Sequence, residues 1–316
     1  MKACFLTGPR KTEVRDIAIP EIKDDEILMR VTMVGMCASE LHPWMDGSRL
    51  DDPVMGHEPV GYVEKVGDRV QHLKVGDRVT AIGARCFAEY AALPAQKVIR
   101  VPDSIPDDQA LGEPLSCLIS AAENTPVHLG DTCAVVGLGY MGTIMTNLIA
   151  LKGAGRLVAI DGRVECRASA LKHGATEFMT PDQVPECMKL TRWEDKDLGY
   201  GIDLACEVSG NANALNLAGE LVRPHGVLSI EGYHQGGPRS INMELWNWKA
   251  LTVINGHERR TDYQMQCMRR GLELISVGRL DLSGMVTHRF APDHLDDAFN
   301  AIIQKPEGYI KGVICF

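Results

Sequence analysis

Cys37, His57 and Glu58 bring a thiol, an imidazole and a carboxylate into two short stretches, GMCASELH at 35–42 and GHEP at 56–59. One soft sulfur, one borderline nitrogen and one hard oxygen make a donor set that a divalent zinc accepts in a catalytic site with one position left open. Each residue alone also has a plainer reading, Cys37 as a small buried hydrophobe and His57 as a satisfied core or turn histidine. Ser39 and His42, three residues apart beside Cys37, add a hydroxyl and a second imidazole, the parts of a short proton relay to solvent.

A second group of residues gives such a metal a task. In TCAVVGLGYMG (132–142), Gly137, Gly139 and Gly142 form G-x-G-x-x-G between an apolar strand and an apolar helix. The first glycine permits a tight turn, the second admits a pyrophosphate to the backbone, and the third lets helix and sheet pack closely. The helix opening at Tyr140 and Met141 would then turn unpaired N–H groups and a partial positive charge toward the phosphates. Asp161 ends the next strand, 24 residues past Gly137, where a carboxylate bonds ribose hydroxyls and repels a 2′-phosphate, favouring NAD over NADP. Arg163, two residues on, weighs the other way. The plainer reading is a glycine turn with a surface Asp. If the zinc reading holds, its role is that of a Lewis acid for hydride transfer between an alcohol and NAD.

The elements that must position these groups fall into two patterns. Residues 1–118 read as β-rich, with strands at EILMRVTMVG (26–35), PVGYVEKVG (59–67), FAEYAAL (87–93) and KVIRVPD (97–103) and a twice-occurring VGDRV with Gly-Asp turns, which suggests a partly closed antiparallel barrel. ISAAENTPVHLGD reads as a helix, a stop and a turn. From residue 119 strand and helix alternate, through RLVAID, RASALKHG, GIDLACEVSG, GVLSIEG and LTVING, so βαβ units and a doubly wound parallel sheet are expected over 119–265. Residues 266–316 belong to a helix–strand–helix–strand tail assigned with 1–118 to the catalytic domain.

Composition narrows the class of protein. The chain has 316 residues, room for two domains, with 45% hydrophobic and 24% charged residues, as in ordinary globular proteins. A net charge of −9 and no basic run argue against nucleic acid as a partner. No apolar run is long enough to span a membrane, and the early ACFL run is too short for a signal-peptide core. The ten cysteines are scattered without a C-x-x-C, the usage of reduced thiols in a cytoplasmic enzyme.

Taken in order, GMCASELH, GHEPVGYVEKVG, GDRV, EPLSC, GLGYMG and the C-terminal VTHRF…DDAFNAI…KPEGYIKGVI resemble the zinc-dependent medium-chain dehydrogenases, closest to their polyol and threonine dehydrogenase branch, over almost the whole chain. The resemblance implies a GroES-like catalytic domain and a Rossmann domain. It implies Cys37 and His57 as ligands of one catalytic zinc, Glu58 as a third ligand or a group that exchanges with water, and Glu113 in GEPLSC as the acidic group that touches the metal or holds its water. Ser39 would bond the substrate oxygen, His42 would pass its proton outward, and Glu40 would hold the ligand histidine. Trp44 would stand at an aromatic position of the polyol branch. The resemblance departs between GDRV and FAEY, where the family carries a lobe of four cysteines for a structural zinc and only TAIGARC remains here. One zinc per chain is therefore expected. A small polar alcohol or ketone as substrate and a homodimer or homotetramer complete the reading. Tyr233 and His234 are expected at the carboxyl edge of the sheet, and Trp246 and Trp248 over a pocket or at an interface. The alternatives are a zinc-free carbonyl or double-bond reductase of the same fold and a non-catalytic cofactor-binding protein.

Overall fold

The computed structural model describes residues 1–316. In chain order the first elements are β1 (Lys2–Gly8), β2 (Lys11–Asp16), β3 (Glu26–Gly35), α1 (Leu41–Asp46), β4 (Glu58–Val66), β5 (Arg78–Ala81), β6 (Tyr90–Pro94), β7 (Val98–Arg100) and α2 (Gly112–Asn124). There follow β8 (Thr132–Val136), α3 (Tyr140–Leu151), β9 (Arg156–Ile160), α4 (Cys166–Lys172), β10 (Glu177–Met179), β11 (Ile202–Glu207), α5 (Ala212–Leu221), β12 (Val222–Ile230), α6 (Met243–Trp248) and β13 (Thr252–Asn255). The tail is α7 (Thr261–Ser276), β14 (Val286–Phe290), α8 (Leu295–Gln304) and β15 (Lys311–Cys315). Two compact units result, Met1–Ser116 with Arg260–Phe316, and Cys117–Arg259. The boundaries read from sequence lie at 118 and 266.

In the first unit a seven-stranded sheet runs β14-β15-β3-β4-β5-β7, with β6 branching from β3. The path is open at β14 and β7, so any closure is partial. Its spine is β3, whose EILMRVTMVG is buried along almost its whole length because strands flank it on both sides and the core covers it. The core gathers Ile27, Met29, Val31, Trp44, Phe87, Leu93 and Phe299, each such side chain contributing about 1.5–3 kcal/mol by leaving water.

The second unit is an all-parallel six-stranded sheet ordered β10-β9-β8-β11-β12-β13. TCAVV and RLVAI are short, rich in β-branched residues and buried, the pattern of strands covered on both faces. The chain runs outward from β8 through β9 to β10, then returns to the other side of β8 with β11. The order therefore reverses between β8 and β11, and in sheets of this kind the ligand crevice lies outside the carboxyl ends at that point.

Several expectations shift. The strand expected from Phe87 starts at Tyr90, because residues before it pair with β1 only through the Ala3–Ala88 bridge. The helix read from Ile119 begins at Gly112 and so includes EPLSC. The β1–β2 hairpin has no counterpart in the sequence reading.

Candidate active site

The β3–β4 pairing assembles the first group. The two strands are antiparallel with Gly35 opposite Glu58, so the residues just beyond β3 and just before β4 share one end of the ladder. Cys37 thereby meets His57 and Glu58, and one donor atom from each lies within 4.8 Å of the others. Glu113 stands outside this trio, in the first turn of α2, whose Gly112 N–H is held by Thr80 Oγ1 at 3.0 Å.

Each member of the trio is oriented. Glu40 is buried and its Oε1 accepts from Gly56 N at 2.7 Å while lying 3.0 Å from His57 Nδ1. A carboxylate only accepts, so Nδ1 carries the ring proton and Nε2 presents the lone pair, the arrangement that metal-binding histidines use. Burial pulls the His57 pKa down, but the Glu40 carboxylate and the Cys37 thiol outweigh it and hold the ring well above its ordinary value. The same neighbours that favour a proton on this ring favour a cation there. Cys37 Sγ accepts from Ser39 Oγ at 3.2 Å.

Glu58 is almost fully buried, and Lys311 Nζ of β15, also buried, lies 2.6 Å from its Oε2. Oε2 has no hydrogen bond, so the contact is an ion pair by distance with poor angular geometry. The carboxylate occupies space that only glycine leaves free, since a Cβ on Gly35 would lie 2.0 Å from Glu58 Oε2. Thiol, imidazole and carboxylate with a held Nδ1 fit zinc by donor chemistry. Cys86, the lone cysteine of TAIGARC, is fully buried, and burial pushes its thiol up to about 12, so it behaves as a core residue.

Ser39 and His42 follow on a 3₁₀ turn (38–40) and α1, one helical turn apart. His42 is exposed, and its Nδ1 lies 2.9 Å from Asp46 Oδ2. Trp44 of the same helix is a core residue. It is 1% exposed, stacks on Phe299 with centroids 5.0 Å apart, and donates Nε1–H to Asp296 Oδ1 at 2.8 Å.

In the second unit the glycine turn lies at the reversal point. Gly137 has φ +98° and packs on Ser209 of the loop after β11, where a Cβ would meet the serine Cβ at 2.6 Å. A Cβ on Gly142 would strike the Gly137 carbonyl at 1.7 Å, which is the close helix–turn approach expected of the third glycine. Gly139, the N-cap of α3, has nothing within 4 Å of where its Cβ would point, leaving open backbone before the helix that starts with Tyr140 and Met141. Asp161 Oδ2 accepts from Leu138 N at 2.6 Å, and Oδ1 accepts from Arg163 N at 2.9 Å. Asp161 thus ties β9 to the glycine turn, and the Arg163 side chain lies beside it at 3.3 Å. Its lone pairs are not exhausted by these contacts, and the open Gly139 backbone with an acidic group at the next strand end fits a dinucleotide.

Trp246 is 7% exposed in the core of this unit, and Trp248 packs edge-on against Trp193, so neither caps a pocket within it. Tyr233 is exposed at the carboxyl edge, whereas His234 bonds the buried Glu207. Sequence reasoning missed Lys311, Gly35, Asp46 and Glu207. The only signal for Lys311 was a lysine opening an apolar final strand, and a glycine's role against a distant carboxylate leaves no local trace.

Comparison with known proteins agrees with this construction. Residues 23–103 match the alcohol dehydrogenase GroES-like domain, and residues 137–281 match the zinc-binding dehydrogenase domain. A sorbitol dehydrogenase of Bacillus subtilis is 27% identical over 352 aligned positions, covering 99% of this chain and 97% of the relative. The alignment is longer than the 316 residues here, so this chain is gapped against that relative. Among solved structures, an Escherichia coli oxidoreductase of unknown specificity superposes with a TM-score of 0.86 at 24% identity, covering 99% of this chain and 98% of that one. A zinc-binding dehydrogenase of Sinorhizobium meliloti bound to NADP has a TM-score of 0.83 at 23% identity, covering 100% and 99%. The protein is an oxidoreductase with a GroES-like and a Rossmann domain. It belongs to the zinc-binding medium-chain dehydrogenases of the alcohol dehydrogenase superfamily.

Proposed function

We propose that this protein oxidises a secondary alcohol of a small polar substrate, a polyol, sugar or cyclitol, to a ketone with NAD as hydride acceptor, or runs the reverse. The observation that carries the reading is the convergence of Cys37, His57 and Glu58 with His57 Nδ1 held by Glu40. A zinc held by Cys37, His57 and Glu58 would supply Lewis acidity that lowers the pKa of an alcohol hydroxyl, with NAD as the hydride acceptor. Ser39, whose hydroxyl already touches Cys37, accepts the substrate proton and passes it to His42. Exposed His42, braced by Asp46, delivers it to solvent. The balance is one hydride to NAD and one proton to water. Glu58, paired with Lys311, and Glu113 on α2 are the carboxylates that would hold a zinc or its water there.

Asp161 supports NAD over NADP, and Arg163 moderates that preference. The polar donors around Cys37, and kinship with enzymes such as sorbitol dehydrogenase, favour a hydroxylated substrate over a long apolar alcohol. The zinc-free and non-catalytic alternatives give these assembled donors no task. No helix is long and apolar enough to cross a membrane. Ten free cysteines suit the reducing cytoplasm, and the exposed edge strand β13 supports a homodimer or homotetramer.

The test is nicotinamide absorbance across a panel of polyols, cyclitols and sugar acids with NAD and with NADP, alongside metal analysis. The expected result is NAD-preferring turnover with one zinc per chain. Active protein without zinc would sink the reading.

A further inference from the structure

The carboxyl edge of β11, β12 and β13 holds a cluster that the reaction above does not use. The strands end in register, with Glu207 opposite Ile230 and Ile230 opposite Asn255, so the residues that follow them share one edge. Glu207 is fully buried. Its Oε1 accepts from Ser209 N at 2.7 Å, from Gly210 N at 2.9 Å and from Ser209 Oγ at 2.5 Å, and its Oε2 lies 2.8 Å from His234 Nε2. Because the carboxylate accepts, His234 carries its proton on Nε2 and shows a lone pair at Nδ1, a buried atom with no partner in the fold. His257, just past β13, bonds the Gly232 carbonyl, and Tyr233 packs across its ring with centroids 5.6 Å apart. Its Nε2 is likewise buried and unpartnered. Burial, followed by neighbouring Arg259, holds this imidazole below its ordinary pKa, so it too offers a lone pair.

Two oriented imidazoles with unanswered acceptor atoms are unusual in a folded interior, where buried polar atoms are nearly always bonded. Their place decides what they answer. The glycine turn and Asp161 belong to β8 and β9, the half of the sheet that takes the adenosine and pyrophosphate. In a sheet of two mononucleotide-binding halves, the half made of β11, β12 and β13 would take the second nucleoside, which carries ribose hydroxyls and a carboxamide NH₂, all hydrogen-bond donors. We propose that His234 and His257 contact the nicotinamide-riboside half of the dinucleotide, accepting hydrogen bonds through Nδ1 and Nε2 respectively, and that Glu207 positions His234. The proposal deepens the NAD-linked reading and rests on it.

The test is equilibrium binding to the full chain, with NADH followed by its fluorescence and ADP by competition, since ADP lacks the nicotinamide riboside. His234→Gln keeps a donor toward Glu207 but removes the Nδ1 acceptor, and His257→Leu removes the other. Each is expected to weaken NADH by about five- to twentyfold and leave ADP within about twofold. His234→Asn, which restores an acceptor near Nδ1, should recover part of the loss. Glu207→Gln turns an N–H toward His234 and so reverses its tautomer. It should weaken NADH, spare ADP and move the His234 proton from Nε2 to Nδ1 in the ring ¹⁵N shifts, a change that simple loosening of the loop would not produce. Unchanged NADH binding in the histidine variants, or ADP weakened in step with NADH, overturns the assignment. Wild-type protein that binds neither ligand would instead overturn the NAD-linked reading itself.

Discussion

Glu40 is the residue through which the role of His57 can be tested without removing a donor atom. It holds Nδ1 at 3.0 Å and also satisfies Gly56 N, so it fixes both the ring and the backbone that carries it. Glu40→Gln keeps the acceptor oxygen and removes the charge. Zinc affinity should fall about 10- to 100-fold, measured by competition with a chromophoric chelator, because a neutral partner no longer raises the basicity of the ring. Affinity equal to wild type would reduce Glu40 to a backbone anchor. The donor types at Cys37, His57 and Glu58 are visible in sequence, although each alone also reads as a core residue and it is the glycine turn at 137–142 that gives a metal there a task. Lys311 is not visible in this way, because its partner is far away along the chain and its local context is only an apolar strand.

At the scale of elements, the β3–β4 ladder makes the site, and Gly35 is where that dependence is sharpest. An alanine there sets a methyl carbon 2.0 Å from Glu58 Oε2, whose carboxylate is buried and paired with Lys311. Gly35→Ala should therefore lower stability by about 1–3 kcal/mol and weaken zinc together with it. Denaturant unfolding checks the first effect and the same chelator competition checks the second. An unchanged midpoint with full zinc affinity would mean that Glu58 has room to move. The parallel half was the easier to read, because buried β-branched strands alternating with helices imply βαβ units without knowledge of partners. The other half was harder. The extents of β6 and β7 depend on which neighbours they meet, and the β1–β2 hairpin, with its largely exposed β2, has no clean apolar alternation. Propensity gives the existence of such strands, and tertiary pairing sets their ends.

For the whole molecule, stability should depend on pH through a carboxyl group remote from the trio. Glu231 follows β12 in the second unit, and Ser229 Oγ, itself bonded to Thr125 Oγ1, donates to its Oε1. Burial first, and the nearby Glu207 charge second, raise its pKa from 4.5 to about 8. Between those values the folded chain holds a proton that the unfolded chain has released, so unfolding is favoured increasingly as pH climbs. The contribution is fully present below about pH 4.5 and is lost as pH rises through about 8. Glu231→Gln keeps the shape and cannot ionise. The variant should gain on wild type between pH 5 and about pH 8, by roughly 4 kcal/mol, and level off above that. With two compact units, unfolding need not be one transition, so the probe must report on the right one. Trp193, Trp246 and Trp248 all lie within Cys117–Arg259 and only Trp44 lies outside, so tryptophan emission follows mainly the unit that contains Glu231. A stability difference that stays flat with pH would show that Glu231 is already ionised in the folded protein.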